Sequence, residues 1–503
     1  MKAVLVALLL LALPAQAQTV LNRGNGAEPD SLDPAAAGSQ PETNILGDLM
    51  VGLTTLDARG KPIPGMAERW EISRDGLTWT FHLRKAQWSD GAPVTAQDFV
   101  SGWRRLLDPK TASRTAAMLW PIKNARAVST GALPPSALGA KARDPRTVTV
   151  ALEYPAPYLP ELLVHPSGSP LPRKGAWNGP YILKSWKPND QIILVKNPRF
   201  HDAALVRIDT VNYFPTPDTL AALRRLRAGE LDMQTPLPST QVAWLRQNMP
   251  KALHIMPGLS LSYLAINMRD PVLADIRIRR ALNLVYDREA VAGKVMKLNE
   301  IPAYTYVPPH TGGYRGGPAL DFKAMPAPAR IAAARRLMQE AGYGPFNKLR
   351  LRYAVTASPD SRRLAAVFQA MARQIHVDIQ IDVSDFPIVL RNLRLGQYQI
   401  AYADWLADYD DASTFLDLLR KGNPRNYAGY SNPKFDAAMA AAEREPDTAR
   451  RARLMQAAEK IALTDMPWVP IRYRAQTAAV GPRVGGFIEN SANANRSRWL
   501  WIQ

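Results

Sequence analysis

Hydrophobic and polar positions along the chain change period several times, and each change marks an element. Trp79, Phe81 and Leu83 alternate with Thr80, His82 and Arg84, the period of two that a half-buried strand shows. Asp75-Gly76 just before them suits a tight turn, so Trp70 to Leu83 is predicted as a hairpin. The period then becomes helical. Thr95 precedes an apolar stripe of Phe99, Val100, Trp103, Leu106 and Leu107, with Asp98 placed to complete a capping box and Pro109 to end the helix. Val148, Val150 and Leu152 predict another strand, whereas Lys174 to Pro188 turns to Gly, Pro and Trp as at a crossing between domains. Ile192 to Val195 and Val211 to Phe214 follow as buried strands. Asp218 caps a helix carrying Leu220, Leu223 and Leu226 that Gly229 closes. A later helix carries Ile331, Ala334, Leu337, Met338 and Ala341, with Gly342 at its end. Asn432-Pro433 opens a third, whose core residues are Phe435 and Met439. The irregular alternation predicts an α/β protein with mixed rather than purely parallel sheets.

Lys2, the apolar run Val4 to Leu13 and the small-x-small triplet Ala15-Gln16-Ala17 form a secretory leader, residues 1–17, with Gln18 as the mature N-terminus. The run is too short for a stable membrane anchor, and the mature chain is not expected to be membrane-embedded. Cysteine is absent. A disulfide framework, a thiolate metal site, a cysteine nucleophile and a lipidated N-terminal cysteine are thereby excluded, and the chain reads as a free periplasmic protein. The formal charge is +19. Its lysines and arginines are scattered, with short pairs such as Arg104-Arg105, Arg224-Arg225 and Arg279-Arg280 on amphipathic helices, so no nucleic-acid partner is expected.

The 6 histidines are dispersed without the H-x-x-x-H spacing of a zinc hydrolase. Neither a G-x-S-x-G elbow nor a P-loop occurs, and Gly24-Asn25-Gly26 lacks the third glycine of a dinucleotide turn. The unusual segment is Asp404 to Phe415, where Asp404, Asp408, Asp410 and Asp411 interleave with Trp405, Tyr409 and Phe415. As a calcium loop it fails: starting at Asp408, Ser413 stands where glycine is needed and Leu419 where the bidentate glutamate belongs. The residues leave two readings open, a solvated acidic loop or a binding loop that apolar Ile400-Ala401 delivers as a strand to a cleft. A secreted hydrolase using Asp408 and Asp410 is a remote third, without supporting motifs.

Ordered landmarks decide between them. Trp88-Ser89-Asp90-Gly91-Ala92-Pro93-Val94-Thr95 and Trp405-Leu406-Ala407-Asp408-Tyr409 stand with Ser31-Leu32-Asp33-Pro34, Leu163-Val164-His165-Pro166-Ser167, Asn178-Gly179-Pro180-Tyr181, Arg277-Ile278-Arg279-Arg280-Ala281-Leu282 and Glu340-Ala341-Gly342-Tyr343. In this order, over nearly all of the mature chain, they resemble the periplasmic solute-binding proteins of oligopeptide ABC importers, bacterial extracellular family 5.

The resemblance implies an α/β, bilobal periplasmic-binding-protein fold of type II, cluster C-like, closing about a hinge, plus an extra domain. Lobe I would comprise 18–50, 175–257 and 477–503, the extra domain 51–174 and lobe II 258–476. It implies no catalysis, cofactor or metal, and a monomer that captures peptides and hands them to the permease subunits of an ABC importer. Murein tripeptide, dipeptide or a non-peptide solute is the alternative ligand. Asp408 would hold the ligand's α-ammonium group. Gln40 on one side, and Asp404, Trp405 and Leu406 on the other, would pair with its backbone as with an added strand. Tyr263, Phe386, Trp405 and Tyr473 match rings lining the family cleft, and Asn426 a polar position. Basic residues that serve peptide C-termini in relatives are replaced by Tyr402, Leu393 and Ser361, an acid by Ala265 and an aromatic by Gly258. A disulfide of some relatives has Ser260 and Leu406 at its two places.

Overall fold

The computed structural model describes residues 18–423, 425–492 and 494–503. The expected leader lies outside them. Two large mixed sheets organise the chain. One has seven strands in the order Leu253–Pro257, Ala475–Val480, Met233–Gln234, Val20–Gly24, Thr210–Phe214, Gln191–Lys196 and Tyr181–Lys187. The other has six, in the order Ile301–Pro302, Trp468–Tyr473, Ser260–Ile266, Ile400–Leu406, Leu349–Thr356 and Val377–Ser384. Parallel pairs sit inside each, Val20–Gly24 on Thr210–Phe214 and Leu349–Thr356 on Val377–Ser384, with antiparallel neighbours around them.

Each sheet has its own core. Residues of the seven-stranded sheet share a continuous core with a four-stranded antiparallel sheet, Ala67–Ile72, Thr78–Leu83, Thr147–Ala151 and Ala140–Asp144, so Leu21, Ile192 and Val211 pack in one mass with Phe81, Trp103 and Val150. The six-stranded sheet builds a separate core around Leu264, Ile266, Phe368 and Val469.

Local chemistry explains the elements. Asp98 accepts the Thr95 N–H at 2.8 Å at the start of helix Ala96–Leu107, whose Phe99, Val100, Trp103, Leu106 and Leu107 are all buried. Asp218 caps helix Thr219–Arg227 and Asn432 caps helix Pro433–Arg444, both through backbone N–H groups of the first turn. Trp70 to Leu83 is a hairpin, as its alternation requires. One segment departs from expectation. Strand Tyr181–Lys187 lies within the stretch read as an interdomain crossing; as a sheet-edge strand it leaves Lys184, Ser185 and Lys187 exposed, which removes the apolar run.

The chain passes between the two large sheets at two adjacent points. Pro257 ends one strand and Ser260 begins the next; Tyr473 and Ala475 do the same on the return. The Gly258 N–H donates to the Arg474 carbonyl at 3.1 Å, tying the crossings together. A Cβ on Gly258 would lie 2.6 Å from that oxygen, so the approach excludes a side chain there.

Candidate functional site

Strand Ile400–Leu406 delivers the acidic segment. Along one edge it pairs with Ser260–Ile266 for its whole length, from Ile400↔Ile266 to Leu406↔Ser260. The two positions that carry a disulfide in some relatives are thus direct strand partners here. Along the other edge the ladder with Leu349–Thr356 ends at Ala401↔Ala354. From Tyr402 to Leu406 that edge has no strand beside it among the described residues.

A cavity of about 490 Å³ lies at this end of the strand, lined by Asp404, Trp405, Leu406 and Asp408 on one side and by Gly38, Ser39, Gln40 and Asn44 on the other. Gln40 is the first residue of helix Gln40–Leu49, and its Nε2 donates to Asn44 Oδ1 at 2.8 Å. The buried Glu42 carboxylate fixes the loop before that helix, accepting the N–H groups of Asp30, Ser31, Gly38 and Ser39. Phe386, at the start of helix Phe386–Leu395, also lines this cavity and is 64% exposed. A second cavity, of about 690 Å³, lies on the far side of the same wall: Trp405, Asp408, Tyr409 and Arg425 border both.

Four of the expected site residues lie elsewhere. Tyr263 is 2% exposed and stacks on Trp468 at 4.2 Å, in the core of the six-stranded sheet. Tyr402 is buried below the strand, its hydroxyl donating to Asp404 at 3.0 Å. Tyr473 is buried near the crossings, its hydroxyl donating to the Thr305 carbonyl at 3.1 Å. Asn426 pins its own loop, donating to the carbonyls of Leu419, Arg420 and Tyr430. The period-two pattern of the strands that carry the three tyrosines does not say which face meets the cleft.

Each acid of the segment has a cationic partner. Asp404 accepts from Ser262 and Tyr402 and faces Arg474 at 3.3 Å. Asp408 Oδ2 meets Arg425 Nη1 at 3.2 Å, and that guanidinium lies 4.8 Å above the Trp405 ring. Thr414 Oγ1 accepts from both Trp405 Nε1, at 3.2 Å, and the Asp408 N–H, at 3.3 Å, which locks ring and acid together. Asp411 forms a buried two-point ion pair with Arg451.

Asp410 and Tyr409 reach across the cleft. Asp410 pairs with Lys61 at 3.2 Å and accepts the Gly312 N–H at 2.7 Å, while its own N–H donates to Glu161 at 3.0 Å. Tyr409 stacks on Tyr158 at 4.8 Å with the rings 9° from parallel. Burial, with the Asp410 carboxylate as the second cause, pushes the Glu161 carboxyl up to about 7. His165, also at the cavity, is held down to about 4 by burial against the opposing pull of Asp408. Ser167 N–H donates to His165 Nδ1 at 3.2 Å, so the neutral ring carries its proton on Nε2. Sequence reasoning missed Lys61, Glu161, His165 and Arg425 as site residues. Glu161 and His165 leave a trace, as polar groups inside and just after the apolar run Leu159 to Val164; Lys61 and Arg425 leave none.

Residues 61–427 match the family model described as bacterial extracellular solute-binding proteins, family 5 Middle. The chain is 36% identical over 492 residues to the periplasmic oligopeptide-binding protein OppA of Salmonella typhimurium, covering 94% of this chain and 90% of the relative. It belongs to family 5 of the bacterial extracellular solute-binding proteins. The two sheets with separate cores are the two lobes of that family's fold, and the family is one of binding proteins. This solute-binding protein is also 33% identical over 509 residues to the probable deoxycholate-binding periplasmic protein YgiS of Escherichia coli, covering 97% of this chain and 95% of the relative. The structure of the E. coli murein tripeptide binding protein MppA superposes with a TM-score of 0.89 at 32% identity, covering 97% of this chain and 99% of that one. The unliganded, open form of MppA, at the same identity, covers 97% of this chain and 98% of that one and superposes less well, with a TM-score of 0.79. The lobes here stand nearer the first arrangement than the open one, as the Tyr409–Tyr158 and Asp410–Glu161 contacts across the cleft require.

Proposed function

We propose that this chain is a periplasmic oligopeptide receptor, which captures peptides between its lobes and delivers them to the permease subunits of an ABC importer. The observation that carries this reading is the unpaired edge from Tyr402 to Leu406, with Asp408 at its end, facing Ser39 and Gln40 across the cavity. An extended peptide fits such an edge as an added strand, its backbone satisfying the free N–H and C=O groups whatever its side chains. Asp408 then holds the α-ammonium group and sets the register. Trp405, Leu406, Phe386 and Gln40 line the space around it. The 36% identity to an oligopeptide-binding protein points the same way.

The domain division that goes with this reading is 18–50, 175–257 and 477–503 for lobe I, 51–174 for the extra domain and 258–476 for lobe II. Strands of the three main sheets fall on either side of these boundaries, except that Ala475–Val480 straddles the last. Ligand shifts the balance between open and closed arrangements, and the closed one is read by the permease. Cleavage of the leader after Ala17 frees the chain into the periplasm, where it acts as a monomer without metal, cofactor or nucleic acid. No described helix is long and apolar enough to cross a membrane.

A second reading rests on the likeness to a probable deoxycholate-binding protein and on Arg425, which already occupies Asp408 and is a natural partner for an anion. It keeps the fold and replaces the peptide by an anionic non-peptide solute. Native mass spectrometry of gently purified periplasmic protein separates the two. A ladder of bound peptide masses, released by acid, is expected. A single uniform non-peptide mass moves the ligand to the second reading and ends the first.

A further inference from the structure

Asp408 and Arg425 form an unusual pair for a site that is to receive an ammonium group. Only one contact joins them, Oδ2 to Nη1 at 3.2 Å. Among the described residues Asp408 Oδ1, and Arg425 Nε and Nη2, have no hydrogen-bond partner. The surroundings hold the guanidinium and the Asp408 backbone, while Arg425 is the one hydrogen-bond partner of the Asp408 carboxylate among the described residues. The guanidinium plane lies over Trp405, Trp405 and the Asp408 backbone share Thr414 Oγ1, and the loop carrying Arg425 is pinned by Asn423 Oδ1 at 2.8 Å and by the side chain of Asn426. A carboxylate oxygen therefore stands beside an unused guanidinium fork, at the junction of the 490 Å³ and 690 Å³ cavities.

An acceptor next to such a fork is complementary to a cation and an oxyanion carried on one residue. We infer that Arg425 makes the receptor selective for ligands whose terminal residue carries both a free ammonium group and a carboxylate, with the ammonium on Asp408 Oδ1 and the carboxylate on Arg425 Nε and Nη2. This rests on the peptide-receptor reading above and names the ligand class within it. Two sources supply the chemistry. An N-terminal aspartate or glutamate does so through its side chain, pointing toward the larger cavity. A glutamyl residue linked through its γ-carboxyl does so through its α-carboxylate.

If Arg425 served only to neutralise Asp408 in an empty cleft, a partly exposed pair of this kind would contribute little, and the ligand's own charge would not matter. The two roles differ in what they predict for matched peptides. Titration calorimetry on the mature protein with Glu-Ala-Ala, its γ-linked isomer and Gln-Ala-Ala measures this directly, repeated on Arg425→Gln and Arg425→Lys. The intact protein should bind at least one glutamyl peptide about tenfold or more tightly than Gln-Ala-Ala, the effect of a charge-assisted two-point contact. Arg425→Gln should bring that ratio to about one, and Arg425→Lys should restore only part of it. Whichever glutamyl isomer binds more tightly identifies the source. Equal affinity of the intact protein for all three peptides, or a preference that survives Arg425→Gln, overturns the inference and leaves the receptor reading standing. Failure of every peptide to bind overturns both.

Discussion

Replacing Asp408 by asparagine keeps the shape of the side chain and removes its charge, which isolates the contact on which the receptor reading depends. A ligand ammonium at a hydrogen-bonding distance of ~2.8 Å attracts the carboxylate by about 6 kcal/mol at an effective dielectric of about 20. That is a gross figure. The carboxylate is 29% exposed and already meets Arg425 at 3.2 Å, so much of the gain is offset by shed water and by the neighbouring cation. The net loss should be that of a hydrogen bond to a charged group, about 1.5–3 kcal/mol, or roughly ten- to 150-fold in Kd. In the variant Arg425 is left without its carboxylate and repels the ammonium, which places the expectation in the upper half of that range. Titration calorimetry with tri-alanine and N-acetyl-tri-alanine on both proteins closes a double cycle. The acetylated peptide should bind the parent weakly and lose little more in Asp408→Asn. A loss under about threefold for the free-amine peptide, or an equal loss for the acetylated one, refutes the ammonium contact.

Two further expectations follow from buried charged groups. Burial holds Glu161, Asp417 and Glu459 up to about 7, well above their unfolded values. The folded state therefore keeps protons that the unfolded state has released, and stability should fall as pH rises from about 6.5 to 8; Glu161→Gln should raise the melting temperature at the upper end and flatten the slope. His165 and His201, held down to about 4, are already neutral in both states at the upper end of that window, so a Tm that rises toward pH 8 contradicts the assignment. Arg451→Met leaves the buried Asp411 without its two-point partner and should cost about 3–5 kcal/mol in urea denaturation, whereas a loss under about 1 kcal/mol would show the pair to be dispensable.

Local elements and the position of the acidic segment follow from the residues alone. Thr95 with Asp98, Asp218 and Asn432 cap helices because each cap is satisfied by backbone N–H groups two or three residues away. Trp79 and Phe81 go inside because alternation in a strand sends every second side chain to one face. Asp404 to Asp411 was legible as a special segment, since so many acids among rings at the end of an apolar strand have few ordinary uses. The tertiary structure decided what those acids face. Arg425, Arg451 and Arg474 come from later elements, and Lys61 from the other side of the cleft. Charge pairing acts through space, and no periodicity in the chain records a partner that folding brings from 17 residues away, as with Arg425, or from 349, as with Lys61. The same limit separates Tyr263, sealed against Trp468 in a strand buried on both faces, from Phe386, open to the cavity: only the packing of one sheet against its helices tells which ring is core and which is wall.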